Sequence, residues 1–381
     1  MPTRGRVIAC VDQQAVVRTD QFDLTITNPP RAWRPGQLVE IETSNVVRDY
    51  AGDYPEPGCE VMRMPRTRMQ RLRARAAALA AVRAFFAERG FLEVETPLLV
   101  PSPGLEIHLD AVRAGEGWLI TSPEYQMKRL LAAGCEKIYQ VCKCFRAGER
   151  GAHHTSEFTM IEWYRAYADL DAIVADTEQL VHAVCGDKAR VGGREIDVTP
   201  PWSRMTVRDA MTQWAGVHVD GGESAAELVR AVRAAGIDVA DDTAWDDAFF
   251  AAFLARVEPA IAKLDRALIL EEWPAPLAAL ARRKDASTAL RFEAYVGGIE
   301  LANAFDELTD PNEQRARFAH DQEIRAARRR PVYPIDEKLL AALREGLPPS
   351  AGIALGFDRL VMLATGADAI TQVQSFSADE L

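Results

Sequence analysis

The ordered block that opens at Thr121-Ser-Pro-Glu-Tyr-Gln-Met-Lys-Arg129, runs through Phe145-Arg146 and closes with His154-Thr-Ser-Glu-Phe-Thr-Met-Ile-Glu-Trp-Tyr164 constrains this chain more than any other feature. Arg146 stands at an expected strand end. A loop of glycines, arginine and histidines follows it, then an aromatic ring, Phe158, and a carboxylate, Glu162. The arginine's planar fork suits two oxygens of an α-phosphate, and the ring suits a purine face. His154 lies across an expected hairpin loop, within reach of a terminal phosphate. Each residue alone has an ordinary structural explanation; their joint order points to ATP binding and activation of a carboxylic acid. That chemistry rests on placement and charge neutralisation, with little covalent help from the protein.

Two further strings extend the pattern. Glu293 and Glu300 flank Gly297-Gly298 in strand-like segments, Ala289–Val296 and Gly298–Ala302, and two carboxylates there suit Mg²⁺ on triphosphate oxygens. In Gly352-Ile-Ala-Leu-Gly-Phe-Asp-Arg359 the glycines Gly352 and Gly356 allow close backbone approach, and Arg359 suits the second face of adenine and the γ-phosphate.

Together these strings resemble motifs 2 and 3 of class II aminoacyl-tRNA synthetases, in the lysyl branch. Phe91-Leu-Glu-Val-Glu-Thr-Pro97 is similar to motif 1, which builds the dimer interface in that family. The resemblance spans residues 66 to 381 and is weakest over 170 to 285. It implies an α+β fold with an antiparallel sheet flanked by helices, a homodimer, and Mg²⁺-ATP. It assigns Arg146 and Arg359 to catalysis, and Arg146, Glu149, His154, Thr155, Phe158, Glu293, Glu300, Gly356 and Arg359 to ATP. Ser122 and Glu124 would meet the backbone end of an amino acid. Glu162, Tyr164 and Glu307 would surround a side-chain ammonium, with Asn303 and Phe305 lining the pocket. Several carboxylates around one buried cation favour a lysine-like dication. The chain departs from the family pattern in three places: Glu149 stands one step beyond the usual motif 2 glutamate, Thr155 replaces asparagine, and Ala304 replaces glycine.

Within the family, Pro103-Gly-Leu-Glu-Ile-His-Leu109, Gly298-Ile-Glu-Leu-Ala-Asn303 and Ala354 resemble the truncated branch that attaches lysine or (R)-β-lysine to a lysine of elongation factor P. That resemblance implies the factor as acceptor in place of tRNA. A lysine-tRNA ligase with a reduced anticodon module and a catalytically dead paralogue are the alternatives. The second is disfavoured by the presence of Arg146, Glu293, Glu300 and Arg359 together.

Residues 4 to 62 carry short β-branched runs, Arg6–Val11, Ala15–Val17, Phe22–Ile26 and Gln37–Glu42. Pro29-Pro30, Pro35-Gly36, Pro55, Pro57 and Gly58 punctuate them. The expected organisation is a small β-module over 1–64 and a catalytic domain over 65–381, with a largely helical segment at about 170–285. Met69, Leu72, Ala76, Leu79, Val82 and Phe86 predict a helix beginning near Thr67 and ending at Gly90. Arg68, Arg71, Arg73 and Arg75 read as its solvated face. Trp202, Trp214, Trp245 and Trp273 are expected core aromatics, with Asp241-Asp242 and Asp246-Asp247 on the surface.

A net charge of −11 argues against broad nucleic-acid binding, and no apolar run has membrane-spanning length. The six cysteines form no zinc-spaced set; they read as small buried residues in a reducing cytoplasm, with Cys142 and Cys144 on one side of a strand.

Overall fold

The computed structural model describes residues 2–49 and 64–381, so Pro55, Pro57, Gly58 and Cys59 lie outside the described residues. The chain divides into two compact units, Met1–Arg73 and Ala74–Leu381.

In the first unit, β1 (Arg4–Val11), β2 (Gln14–Arg18), β3 (Asp23–Thr27), β4 (Leu38–Glu40) and β5 (Asn45–Arg48) form an antiparallel sheet in the order β3-β2-β1-β4-β5. Val7, Ala15, Val17, Val39 and Trp33 make its core. The sequence did not predict β5: all four of its residues are exposed, so its Val46 and Val47 carry no burial alternation.

The second unit is built on an eight-stranded sheet. Its strands are β6 (Leu92–Glu93), β10 (Lys137–Phe145), β11 (Glu157–Ala166), β14 (Ser203–Thr206), β15 (Leu268–Pro274), β16 (Thr288–Val296), β17 (Ile299–Asp306) and β18 (Ser350–Gly356). Three short strands, β7 (Leu99–Val100), β8 (Arg113–Ala114) and β9 (Gly117–Leu119), form a side sheet, and β12 (Lys188–Val191) pairs with β13 (Arg194–Asp197). The large sheet runs β14-β15-β16-β17-β18-β11-β10-β6, antiparallel except where β14 meets β15 and β10 meets β6. The large sheet and its flanking helices are the expected α+β architecture.

Strand alternation gives the sheet two different faces. Ile161 and Trp163 of β11, Ile353 and Leu355 of β18, and Ala302 and Ala304 of β17 join the main core with Val82 and Phe86, Ile173 and Leu180, and Leu360 and Val361. Helices Arg66–Glu88, Leu170–Cys185 and Phe357–Thr365 therefore cover that face. On the opposite face, Leu268, Leu270 and Trp273 of β15 pack with inserted helices between 207 and 261. At the other end of this face, Ile138 and Tyr164 pack with Tyr125, Phe318 and Leu340. The site lies between these two clusters.

Several local expectations need correction. Helix Arg66–Glu88 buries Ala78, Val82, Phe85 and Phe86, whereas Ala76 is exposed. Its Arg75 is not a solvated side chain. One guanidinium nitrogen lies 2.5 Å from Asp358 Oδ1 and another donates to Thr159 Oγ1 at 2.8 Å, while Asp358 Oδ2 accepts from the Thr159 N–H at 2.6 Å. The 170–285 segment contains four strands besides its helices, and Trp273 belongs to β15. Trp214 and Trp245 are only partly buried. Asp246 pairs with His108 at 3.4 Å and Arg328 at 2.9 Å, so it is not free surface. Cys144 is buried, but Cys10 is exposed and Cys135, Cys142 and Cys185 are half-buried.

Candidate active site

Register aligns the predicted residues in rows across five strands. Gln140, Glu162, Ala354, Asn303 and Glu293 stand side by side on β10, β11, β18, β17 and β16. The adjacent row is Ile138, Tyr164, Gly352, Phe305 and Arg291. Directly paired strand residues point to one face, so the carboxylates and Asn303 share it. A cleft of about 470 Å³, lined by Glu106, Tyr125, Arg291, Asn303, Phe305 and Asp321 among others, opens beside these rows.

At one end of the rows, acidic groups converge. Glu162 accepts from Ser122 Oγ at 2.7 Å and from the Tyr164 hydroxyl at 2.6 Å. Burial, then the nearby Glu124 charge, push the Glu162 carboxyl up to about 8. Glu124 starts helix Glu124–Ala132, and its N–H donates to Ser122 Oγ at 3.1 Å. Lys128, one turn later, sets its ammonium 2.5 Å from both Glu124 Oε1 and Glu307 Oε2. Burial pulls this ammonium's pKa down, but the two carboxylates outweigh burial and hold it above its usual value. Burial raises the Glu307 carboxyl even against Lys128. Gly352 is required here: a Cβ would stand 2.2 Å from the Tyr164 ring and 2.7 Å from Glu307 Oε1. Gly356 has no such constraint, since its Cβ would meet only Arg359 at ordinary contact distance.

The other predicted group gathers around the β10–β11 loop. The Arg146 guanidinium lies 5.0 Å from the Phe158 ring centre and 3.8 Å from Glu149. Its Nε is buried without a hydrogen-bond partner among the described residues. Arg359 reaches into the same loop, donating to the His153 carbonyl at 3.2 Å and to His154 Nε2 at 2.7 Å. Because arginine only donates, His154 Nε2 must accept, which fixes a neutral ring protonated at Nδ1. Burial and then the Arg359 charge lower the His154 pKa, consistent with that state. Arg359 also donates to the Glu300 carbonyl at 2.5 Å. Thr155 is half-buried in the loop.

Glu293 and Glu300 lie on neighbouring strands. Burial first, then the Glu300 charge, raise the Glu293 carboxyl despite contacts from Arg291 at 2.6 Å and the Tyr295 hydroxyl at 2.6 Å. Among the described residues no group of three or more His, Cys, Asp or Glu is arranged to hold a metal, so a divalent cation would depend on this carboxylate pair and on substrate oxygens.

Sequence reasoning missed Lys128, Arg291 and Arg75. Glu124 and Lys128 had the helical i,i+4 spacing, and Arg291 lies two residues before Glu293 on a strand; both signals were available. Arg75 contacts a residue 283 positions away, which local pattern cannot reveal.

These rows and loop contacts occur in a chain that belongs to the class II tRNA synthetase family: the family model for the D, K and N enzymes matches residues 60–380. More particularly, the chain is 42% identical over 328 residues to an elongation factor P--(R)-beta-lysine ligase of Enterobacter sp. strain 638. It is 40% identical over 328 residues to the protein of that name from Klebsiella pneumoniae strain ATCC 700721 / MGH 78578. Each comparison covers 83% of this chain and 97% of the relative.

Proposed function

We propose that this enzyme activates lysine or (R)-β-lysine with ATP and transfers it to a lysine of elongation factor P. The acidic cluster of Glu124, Glu162 and Glu307 carries the reading, because Lys128 supplies a single internal cation for three buried carboxyl groups and a cationic ligand would satisfy the remainder. The names and coverage of the relatives support the acceptor. In the first step a carboxylate oxygen of the amino acid attacks the α-phosphorus and pyrophosphate leaves. Arg146, with its unpartnered buried Nε, is suited to the α-phosphate oxygens. Phe158 and Arg359 are suited to adenine, and His154 with Arg359 to the terminal phosphate. Glu149 is assigned to ATP beside Arg146, and Thr155 and Gly356 to the same nucleotide site. In the second step the acceptor amine attacks the acyl carbonyl and AMP departs.

Ser122 and Glu124 take the backbone end of the amino acid, Glu162, Tyr164 and Glu307 the distal ammonium, and Asn303, Phe305 and Ala354 the walls. Mg²⁺ fits Glu293 and Glu300, whose mutual repulsion a divalent cation relieves; it supplies charge neutralisation at phosphate oxygens. A homodimer and a cytoplasmic location accompany this reading. Among the described residues, no helix is long and apolar enough to cross a membrane.

The test is incubation with ATP and labelled α-lysine or β-lysine, offering elongation factor P or lysine tRNA. Label should reach the protein acceptor. Faster charging of tRNA would replace this reading with the tRNA-ligase alternative.

A further inference from the structure

Three sulfur atoms meet on the site face of β10 and β11. Cys142 and Cys144 lie two apart on β10, so their side chains share one face, and their Sγ atoms stand 3.9 Å apart. Cys144 Sγ is also 3.9 Å from Met160 Sδ. Met160 is the cross-strand partner of Cys142, so the three residues share one patch with Cys144 Sγ in reach of both other sulfurs. Val100 and Ile120 pack against this cluster, with Phe158 and Ala354 at its edge.

Three ligands around one ion at metal–sulfur bonds of about 2.3 Å stand about 4 Å apart when trigonal. The two separations that involve Cys144 match that figure. Val100 and Ile120 wall the sulfurs with apolar surface, and the Glu162 carboxyl stands close enough to act on both thiols. The donors that meet at the centre are nonetheless sulfur, which favours soft cations over hard, oxygen-seeking ones. Thiolate and thioether together select soft closed-shell ions.

We propose that Cys142, Cys144 and Met160 form a binding site for a soft monovalent cation of the Cu(I) type. Binding displaces the two thiol protons to solvent and leaves the thioether neutral. No electron is transferred, and the product is a Cu(I) bis-thiolate with one thioether ligand. Cys142, which is half-buried, provides the approach; Cys144 and Met160 form the buried floor.

The experiment uses the full chain with Cys10, Cys59, Cys135 and Cys185 changed to serine, so that only the paired thiols remain. Under anaerobic conditions it is titrated with Cu(I) against bicinchoninate as the competing chelator. One equivalent should be withdrawn from the chelator. Cys142→Ser and Met160→Leu should each weaken uptake by at least the roughly tenfold that even an outer-shell partner contributes. No withdrawal, or uptake unaltered in both variants at unchanged melting temperature, overturns the site. A second measurement needs no ligand substitution. Alkylation of Cys142 by iodoacetamide, located by peptide mass mapping, should slow sharply with one equivalent of Cu(I). An unchanged labelling rate overturns the proposal even if the variants fold poorly.

Discussion

Lys128 and Glu307 approach to 2.5 Å inside the protein, the ammonium 2% and the carboxylate 1% exposed. The same ammonium holds Glu124, so one internal cation spans the two carboxylates assigned to opposite ends of the substrate. Truncating one partner of a buried pair strands the other, at a cost of about 3–5 kcal/mol. Lys128→Met should therefore lower the denaturation midpoint strongly, and Lys128→Met/Glu307→Gln should recover part of the loss. Urea unfolding of the wild type, both single variants and the pair measures this coupling. Additive effects would mean that the pair carries no coupling.

Glu162 sets a pH dependence. Its carboxyl titrates near 8 in the folded protein against an ordinary 4.5. Between those values the unfolded chain has lost the proton and the folded site retains it, so stability of the empty enzyme falls as pH rises and levels off above about 8. A dicationic substrate favours the ionised carboxylate, so binding near neutrality should release a proton. Calorimetry of lysine binding in buffers of different ionisation enthalpy reads that release. Glu162→Gln should abolish this group's share, and identical release by the variant would refute the assignment.

Arg146→Ala should reduce amino-acid-dependent pyrophosphate exchange about a hundredfold or more, the scale of losing one preorganised charge contact in the transition state. Wild-type exchange by that variant would defeat the phosphate role.

Ala354 lies between Glu162 and Asn303 in the cross-sheet row. Its methyl should crowd the main-chain end of α-lysine and suit an amino group shifted by one carbon. A single methyl discriminates by about 1–3 kcal/mol. Ala354→Gly should raise α-lysine activation relative to β-lysine in single-turnover assays. An unchanged preference would remove Ala354 from the specificity argument.

Leu92, Leu98 and Leu99 expose 56%, 37% and 55% of their surface in and just beyond the 91–97 segment. Such a run suits an interface between copies of the chain. Light scattering should give a dimer at micromolar concentration, and Leu92→Asp/Leu99→Asp should shift it toward monomer. A wild-type monomer would contradict the dimer.

The sequence made the fold class legible and placed several candidate site residues, but not the detail around them. Arg146, Phe158 and Glu162 could be read because they fall within one hairpin, where spacing and order survive folding. Glu293 and Glu300 could be paired because two glycines separate their strands. The cross-sheet rows were not readable, since Ala354 and Asn303 become neighbours only through the register of β17 and β18. Trp273 was assigned to a helical segment because buried strand and buried helix have the same composition over short runs. Arg75 looked like one of four interchangeable surface arginines until its distant partner, Asp358, was known.

The strand that completes the rows, β18, sits between β11 and β17 and comes last among the eight in chain order. A ribosome therefore releases both neighbours before the strand that joins them. Until residue 356 emerges, β11 and β17 each present an unpaired edge, and the walls that carry Glu162 and Asn303 have no common support. Such edges are where a growing chain is exposed to wrong pairing. Arg75 cannot make its contact with Asp358 until the nascent chain has extended still further. Activity on the ribosome should thus switch on abruptly once β18 and Asp358 have emerged rather than accumulate with length.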